Sequence, residues 1–163
     1  RKLLRFLNAG YDAVKEVCPD SQVITHLASV LNDDLCMPFL ENFFAEKGKT
    51  DILGFSYYPY WEQFESDKDV LSTKLKEYTR KYHKPVMIAE VGGLDHDEEG
   101  TYKIVSDCIG AMREQEGQEE CGVFYWEPEV TAAILPDAYP LGAAKLAGEK
   151  TLQYTKALRA YLS

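Results

Sequence analysis

The chain has no long hydrophobic run, no excess of positive charge, no paired cysteines and no repeats, and each lack removes a class of protein. No apolar stretch approaches the roughly 20 residues that cross a bilayer. No basic n-region followed by an apolar h-region opens the sequence, so a soluble segment without a targeting signal is expected. Asp and Glu outnumber Lys and Arg by 27 to 18, for a formal net charge of −9, and the basic residues are dispersed or sit on helix faces. Nucleic acid is therefore not an expected partner. Cys18, Cys36, Cys108 and Cys121 lack the CxxC spacing of a zinc site and do not read as a disulfide framework. No period of 20 to 50 residues and no low-complexity linker is present, which argues against solenoids and tethered modules.

What is present is an alternation of short apolar runs and amphipathic segments. Leu3, Leu4, Leu7, Tyr11, Val14 and Val17 recur at helical spacing and predict a helix over residues 1 to about 17. Gln22 to Leu27 reads as a strand ending near His26. A loop through Asn32-Asp33-Asp34 precedes a helix from Pro38 to about Lys47. Asp51 to about Tyr58 is the second strand. Period-two alternation puts Leu53, Phe55 and Tyr57 on one face and the smaller or hydroxyl-bearing Gly54, Ser56 and Tyr58 on the other. Trp61-Glu62-Gln63-Phe64 begins a loop, and a helix runs from Asp67 to about Tyr82. A third strand, Val86-Met87-Ile88-Ala89-Glu90, delivers a carboxylate at its C-terminal end. A polar loop, a helix to about Gln115, a strand Gly122 to Trp126, a long loop containing Pro128, Pro136, Pro140 and Gly142, and a final helix with Leu152, Tyr154, Leu158 and Leu162 complete the chain.

Alternating β and α segments with continuously apolar strands indicate an α/β fold with a parallel sheet and right-handed crossovers. The chain is long enough for one domain but short of the roughly 250 residues of a complete (β/α)8 barrel. The chain begins at Arg1, inside a helical pattern without a capping residue, so polypeptide upstream is expected. The C-terminal ends of parallel strands form the active face of such sheets. Here they carry Glu90 together with Tyr58, Tyr60, Trp61 and Trp126, groups suited to holding a sugar.

Three motifs carry a resemblance. Asp51 to Trp61 (DILGFSYYPYW), Met87-Ile88-Ala89-Glu90, and Gly122 to Pro128 (GVFYWEP) resemble the sixth, seventh and eighth strands of endo-β-1,4-galactanases, glycoside hydrolase family 53. The leading helix and Val23 to Leu27 resemble that barrel's fourth helix and fifth strand. The resemblance implies that residues 1–163 are a single partial catalytic domain, the C-terminal half of a (β/α)8 TIM barrel. It implies a retaining hydrolase acting on β-1,4-galactan side chains of pectin, from a secreted or periplasmic parent protein, with no cofactor and no metal.

Glu90 matches the family's nucleophile, and Tyr58 would orient it. The acid/base glutamate of the fourth strand has no match, so the isolated chain is expected to be inactive or nearly so. Trp126 resembles the floor beneath the sugar at the cleavage point. Trp61 and Tyr60 would be further platforms, and His26 and Ser56 would face the cleft. On the residues alone, Tyr58 is equally a core tyrosine with a satisfied hydroxyl, His26 a structural histidine, and Trp61 a surface aromatic closing its loop. Glu127 follows Trp126 and is expected to point the opposite way. The acidic run Asp95 to Glu99 lacks a calcium-loop pattern and reads as a solvated loop. Two other readings stay open: another retaining barrel glycosidase of β-galactosidase, mannanase or cellulase type, and a non-catalytic carbohydrate-binding or assembly module. A half barrel leaves sheet edges exposed, so a dimer or pairing with the missing half is expected.

Overall fold

A computed structural model describes residues 2–115, 117, 122–133 and 140–162. The expectations placed on Cys121 and Pro136 lie outside the described residues. Helix α1 (Lys2–Val17) leads into strand β1 (Ile24–Leu27), helix α2 (Asp33–Ala45), strand β2 (Ile52–Tyr57), a short helix α3 (Pro59–Glu62), helix α4 (Lys68–Tyr82), strand β3 (Val86–Val91), helix α5 (Glu98–Arg113) and strand β4 (Val123–Tyr125). Strands β5 (Ala144–Gly148) and β6 (Thr151–Tyr154) form an antiparallel hairpin, and a 3-10 helix, Lys156–Leu162, follows.

The four parallel strands lie in the order β1-β2-β3-β4. Every neighbour is consecutive in sequence, the order of a barrel wall; a doubly wound sheet reverses order at a switch point. The core lies between one face of this sheet and three helices. Leu53, Phe55, Tyr57, Val86, Ile88 and Val91 from the strands meet Cys36 and Leu40 of α2, Leu71, Leu75 and Tyr78 of α4, and Val105, Cys108 and Met112 of α5. Phe55 and Tyr78 stack with ring centroids 4.6 Å apart. The opposite face of the sheet is open, with Ile24 and Phe124 40% and 60% exposed.

Three expectations need correcting. Residues 151–154 are a strand, not part of a final helix. Gly148 pairs with Thr151 around a two-residue turn, and Thr151, Leu152 and Tyr154 suit an extended edge better than their helical spacing suggests. Helix α2 begins at Asp33 because Asn32 caps it, its side chain accepting from the Leu35 N–H; Pro38 lies inside the helix and does not start it. The acidic run is solvated only in part: His96, Asp97 and Glu99 are exposed, but Asp95 and Glu98 are held. Asp95 is 8% exposed at its side chain and accepts from the Thr131 hydroxyl (2.9 Å) and the Ala132 N–H (2.7 Å), and its own N–H donates to the Pro140 carbonyl. Asp97 caps α5, and Glu98 accepts from Lys145 and from the Lys156 N–H, which hold its carboxyl below its ordinary value. The segment thus fastens the β3–α5 loop to the chain that follows β4.

Candidate active site

The second strand positions its side chains by simple alternation. Leu53, Phe55 and Tyr57 are buried in the core, and Ser56 and Tyr58 project from the other face. Gly54 shares that face where strands crowd. A Cβ there would lie 2.7 Å from Ile24 Cγ2 and 3.1 Å from Ala89 Cβ, so only glycine fits without movement.

Alternation alone would send Glu90 the wrong way. Counting from Val86 and Ile88, which point into the core, Glu90 should join them. A β-bulge prevents it. Phe55 pairs with Ile88 but Ser56 pairs with Glu90, and on the far side Ile88 pairs with Val123 but Val91 with Tyr125. Strand β3 therefore carries one residue more than either neighbour, and that residue is Ala89. The extra residue turns Glu90 onto the open face and returns Val91, fully buried, to the core.

Four predicted side chains meet there. Ser56 Oγ donates to Glu90 Oε2 at 3.2 Å, and Tyr58 OH donates to the same oxygen at 3.2 Å. His26 Nε2 lies 2.8 Å from Ser56 Oγ, and His26 Nδ1 lies 3.9 Å from Glu90 Oε1. The cluster is partly open, the Glu90 side chain being 24% and the His26 side chain 35% exposed. Two hydroxyl donors on one oxygen fix the carboxylate's orientation.

The aromatic residues follow the ends of two of the strands, β2 and β4. Tyr60 and Trp61 lie in α3 immediately after β2 and pack edge to face, centroids 4.8 Å apart, with about half of each exposed. Trp126 lies just past β4, 46% exposed, its N–H donating to the Val91 carbonyl. Because β4 ends at Tyr125 and Glu127 takes a left-handed φ of 47°, strand alternation does not set the direction of Glu127.

Several supporting groups carry no sequence signal. Tyr57 donates to Ser66 Oγ (3.2 Å), and Ser66 donates to Asp107 Oδ2 (2.6 Å), which also pairs with Lys103. This chain ties the loop after Trp61 to α5. Burial pushes the Tyr57 hydroxyl up to about 12. Tyr125 donates to the Leu141 carbonyl at 2.8 Å and holds the strand-end loop from beneath. Burial also pushes the Glu62 carboxyl above its ordinary value, offset in part by a hydrogen bond with Ser29. These contacts join residues far apart in sequence, and only the fold brings them together.

A wall of successive parallel strands, with a carboxylate and aromatic rings at its C-terminal edge, places the chain in the class of (β/α)8-barrel proteins, of which it forms a part. The sequence profile of glycosyl hydrolase family 53 matches residues 1–161, and the chain belongs to that family.

A structure from a study of two fungal beta-1,4-galactanases superposes on 97% of this chain and 53% of its own, at 18% identity with a TM-score of 0.75. The GH53 catalytic domain of Ignisphaera aggregans covers 77% of this chain and 41% of its own, at 23% identity with a TM-score of 0.64. These superpositions show the fold. A Niallia circulans protein encoded in the region 5′ of bgaB is 25% identical over 142 residues, 73% of this chain and 38% of the relative. The chain thus spans about half, or less, of the length of the relatives it matches.

Proposed function

We propose that the chain carries the nucleophile side of a retaining endo-β-1,4-galactanase acting on galactan and arabinogalactan side chains of pectin. The observation that supports this most is the placement of Glu90, turned onto the open face by a bulge and held by Ser56 and Tyr58 at the C-terminal end of a parallel strand. In this reading Glu90 attacks the anomeric carbon and the bond to the leaving oxygen breaks. A second carboxyl group about 5 to 5.5 Å away protonates that oxygen, then activates water to release the glycosyl-enzyme. Tyr58 is a positioning residue. Trp126 forms the floor under the reacting sugar, and Tyr60 and Trp61 form platforms beyond it, since aromatic faces bury the C–H face of a pyranose.

The acid/base glutamate has no match in these residues and comes from polypeptide outside them. The chain alone is therefore inactive or nearly so, and pairs either with that missing half or with a second copy. A polymer substrate places the parent protein outside the cytoplasm, secreted or in a periplasm.

The test is hydrolysis of β-1,4-galactan by this chain and by the chain extended upstream through strands one to four, each beside its Glu90→Gln variant. Turnover in the extended protein, abolished by Glu90→Gln, and none in the short chain is the expected result. Galactan binding without turnover, insensitive to Glu90→Gln, would instead make the exposed Trp61 and Trp126 parts of a binding module and end the hydrolase reading.

A further inference from the structure

Ser56 has one hydroxyl hydrogen and two close polar neighbours, His26 Nε2 at 2.8 Å and Glu90 Oε2 at 3.2 Å. An ionised carboxylate only accepts. If the Ser56 hydrogen pointed to His26, the Ser56 and Glu90 oxygens would face each other at 3.2 Å with no proton between them. The His26 proton would then sit on Nδ1, 3.9 Å from Glu90 Oε1, beyond hydrogen-bonding range. If instead Ser56 donates to Glu90, both short contacts are satisfied at once, and the hydrogen between His26 and Ser56 must be carried by Nε2.

We propose that His26 and Ser56 are positioning residues that hold Glu90 through a directed chain, His26 Nε2–H to Ser56 Oγ–H to Glu90 Oε2, leaving Oε1 as the attacking oxygen. The proposal rests on the hydrolase reading only for the word attacking. Oε2 takes two donors, Ser56 and Tyr58, whereas Oε1 accepts no hydrogen bond among the described residues. The oxygen whose lone pairs are uncommitted is the better nucleophile, and the chain distinguishes the two oxygens before substrate arrives. The groups facing His26 are Ser56 from β2 and Glu90 from β3, so neutral His26 with an unprotonated Nδ1 leaves Oε1 unpaired.

The test is ring-nitrogen NMR of this chain, labelled with 15N, at about pH 9, well above the ordinary imidazole range. The His26 signals are told from those of His83 and His96 by their loss in His26→Gln. The expected spectrum shows His26 protonated at Nε2 alone, with a ring N–H protected from solvent exchange. Ser56→Ala should lose that protection and admit the other tautomer, and Ser56→Thr should restore it. Should Ser56→Ala perturb the fold, Glu90→Ala gives a second reading: with its acceptor gone, the Ser56 hydrogen turns to Nε2 and the population moves toward Nδ1–H. A native Nδ1–H tautomer, or spectra that neither variant changes, would overturn the proposal. The chain of bonds is read here without turnover. The expected spectrum in a protein whose extended form leaves galactan intact would therefore remove the reaction and the role of Oε1 but keep the bonds.

Discussion

At Asp51, just before β2, three donors converge on one carboxylate. Tyr11 OH donates at 3.0 Å, the Val23 N–H at 2.7 Å, and Lys15 Nζ lies 2.8 Å away. Burial pulls the Asp51 carboxyl up, but Lys15, the Val23 amide and Tyr11 together outweigh it and hold the group below its ordinary value. A depressed carboxyl stabilises the fold above its unfolded value, and that contribution is lost as pH falls through the folded one. Helix α1 buries no residue of its own, so this tether matters more to it than packing does. Acidification should therefore loosen α1 before the sheet, and Asp51→Asn should produce the same loosening at neutral pH. Hydrogen exchange of the α1 amides against those of β2 and β3 measures it. Uniform protection of both regions down to the global acid transition would contradict the argument. At this scale the sequence was partly legible. The alternation of Leu53, Phe55 and Tyr57 with Ser56 and Tyr58 can be read off the chain, because a period of two needs no partner. Asp51 gave no such signal, since its donors come from residues 28 to 40 positions away.

Among the elements, strand β3 shows how little of a side chain's facing a strand pattern gives away. Glu90 stands at the end of an apolar run and matches a family motif, yet the geometry that presents it is a bulge at Ala89, and nothing in VMIAEV marks a bulge. Deleting Ala89 should restore regular pairing and, because Ile88, Glu90 and Val91 then alternate, leave Glu90 on the open face and Val91 in the core. A Glu90 turned inward instead would be an unpartnered carboxylate in that core and cost about 3 to 5 kcal/mol. Urea unfolding of the deletion variant separates the two: a loss well below that penalty is expected, and one of about 3 to 5 kcal/mol would mean that Glu90 had left the open face. The hairpin of β5 and β6 shows the opposite failure. Its leucines and tyrosine fit a helical spacing as well as a strand, and the Gly148 turn was the cue that decided between them.

For the whole molecule, the exposed apolar surfaces are the main physical fact. The open face of the sheet carries Ile24 and Phe124, strands β1 and β4 end the sheet, and α1 leaves Phe6 and Val17 75% and 79% exposed. A groove of about 510 Å³ between α1 and α2, lined by Leu3, Leu7, Phe39 and Phe43, adds to them. Sedimentation of the chain alone should show a dimer or larger species. On the proposed reading, supplying strands one to four in trans should convert it to a one-to-one complex, because paired edges and covered apolar surface are favoured over exposed ones. A monomer at all concentrations would argue that these surfaces are tolerated in water.

The bulge in β3 also has a genetic reading. Because facing in a strand depends on parity, no substitution at position 90 can move a carboxylate from the open face to the core or back. Nor can a single in-frame codon loss at Ala89, since Ile88, Glu90 and Val91 then alternate without a bulge. In this strand one codon can therefore be gained or lost in a single insertion or deletion while the acid keeps the open face and Val91 the core.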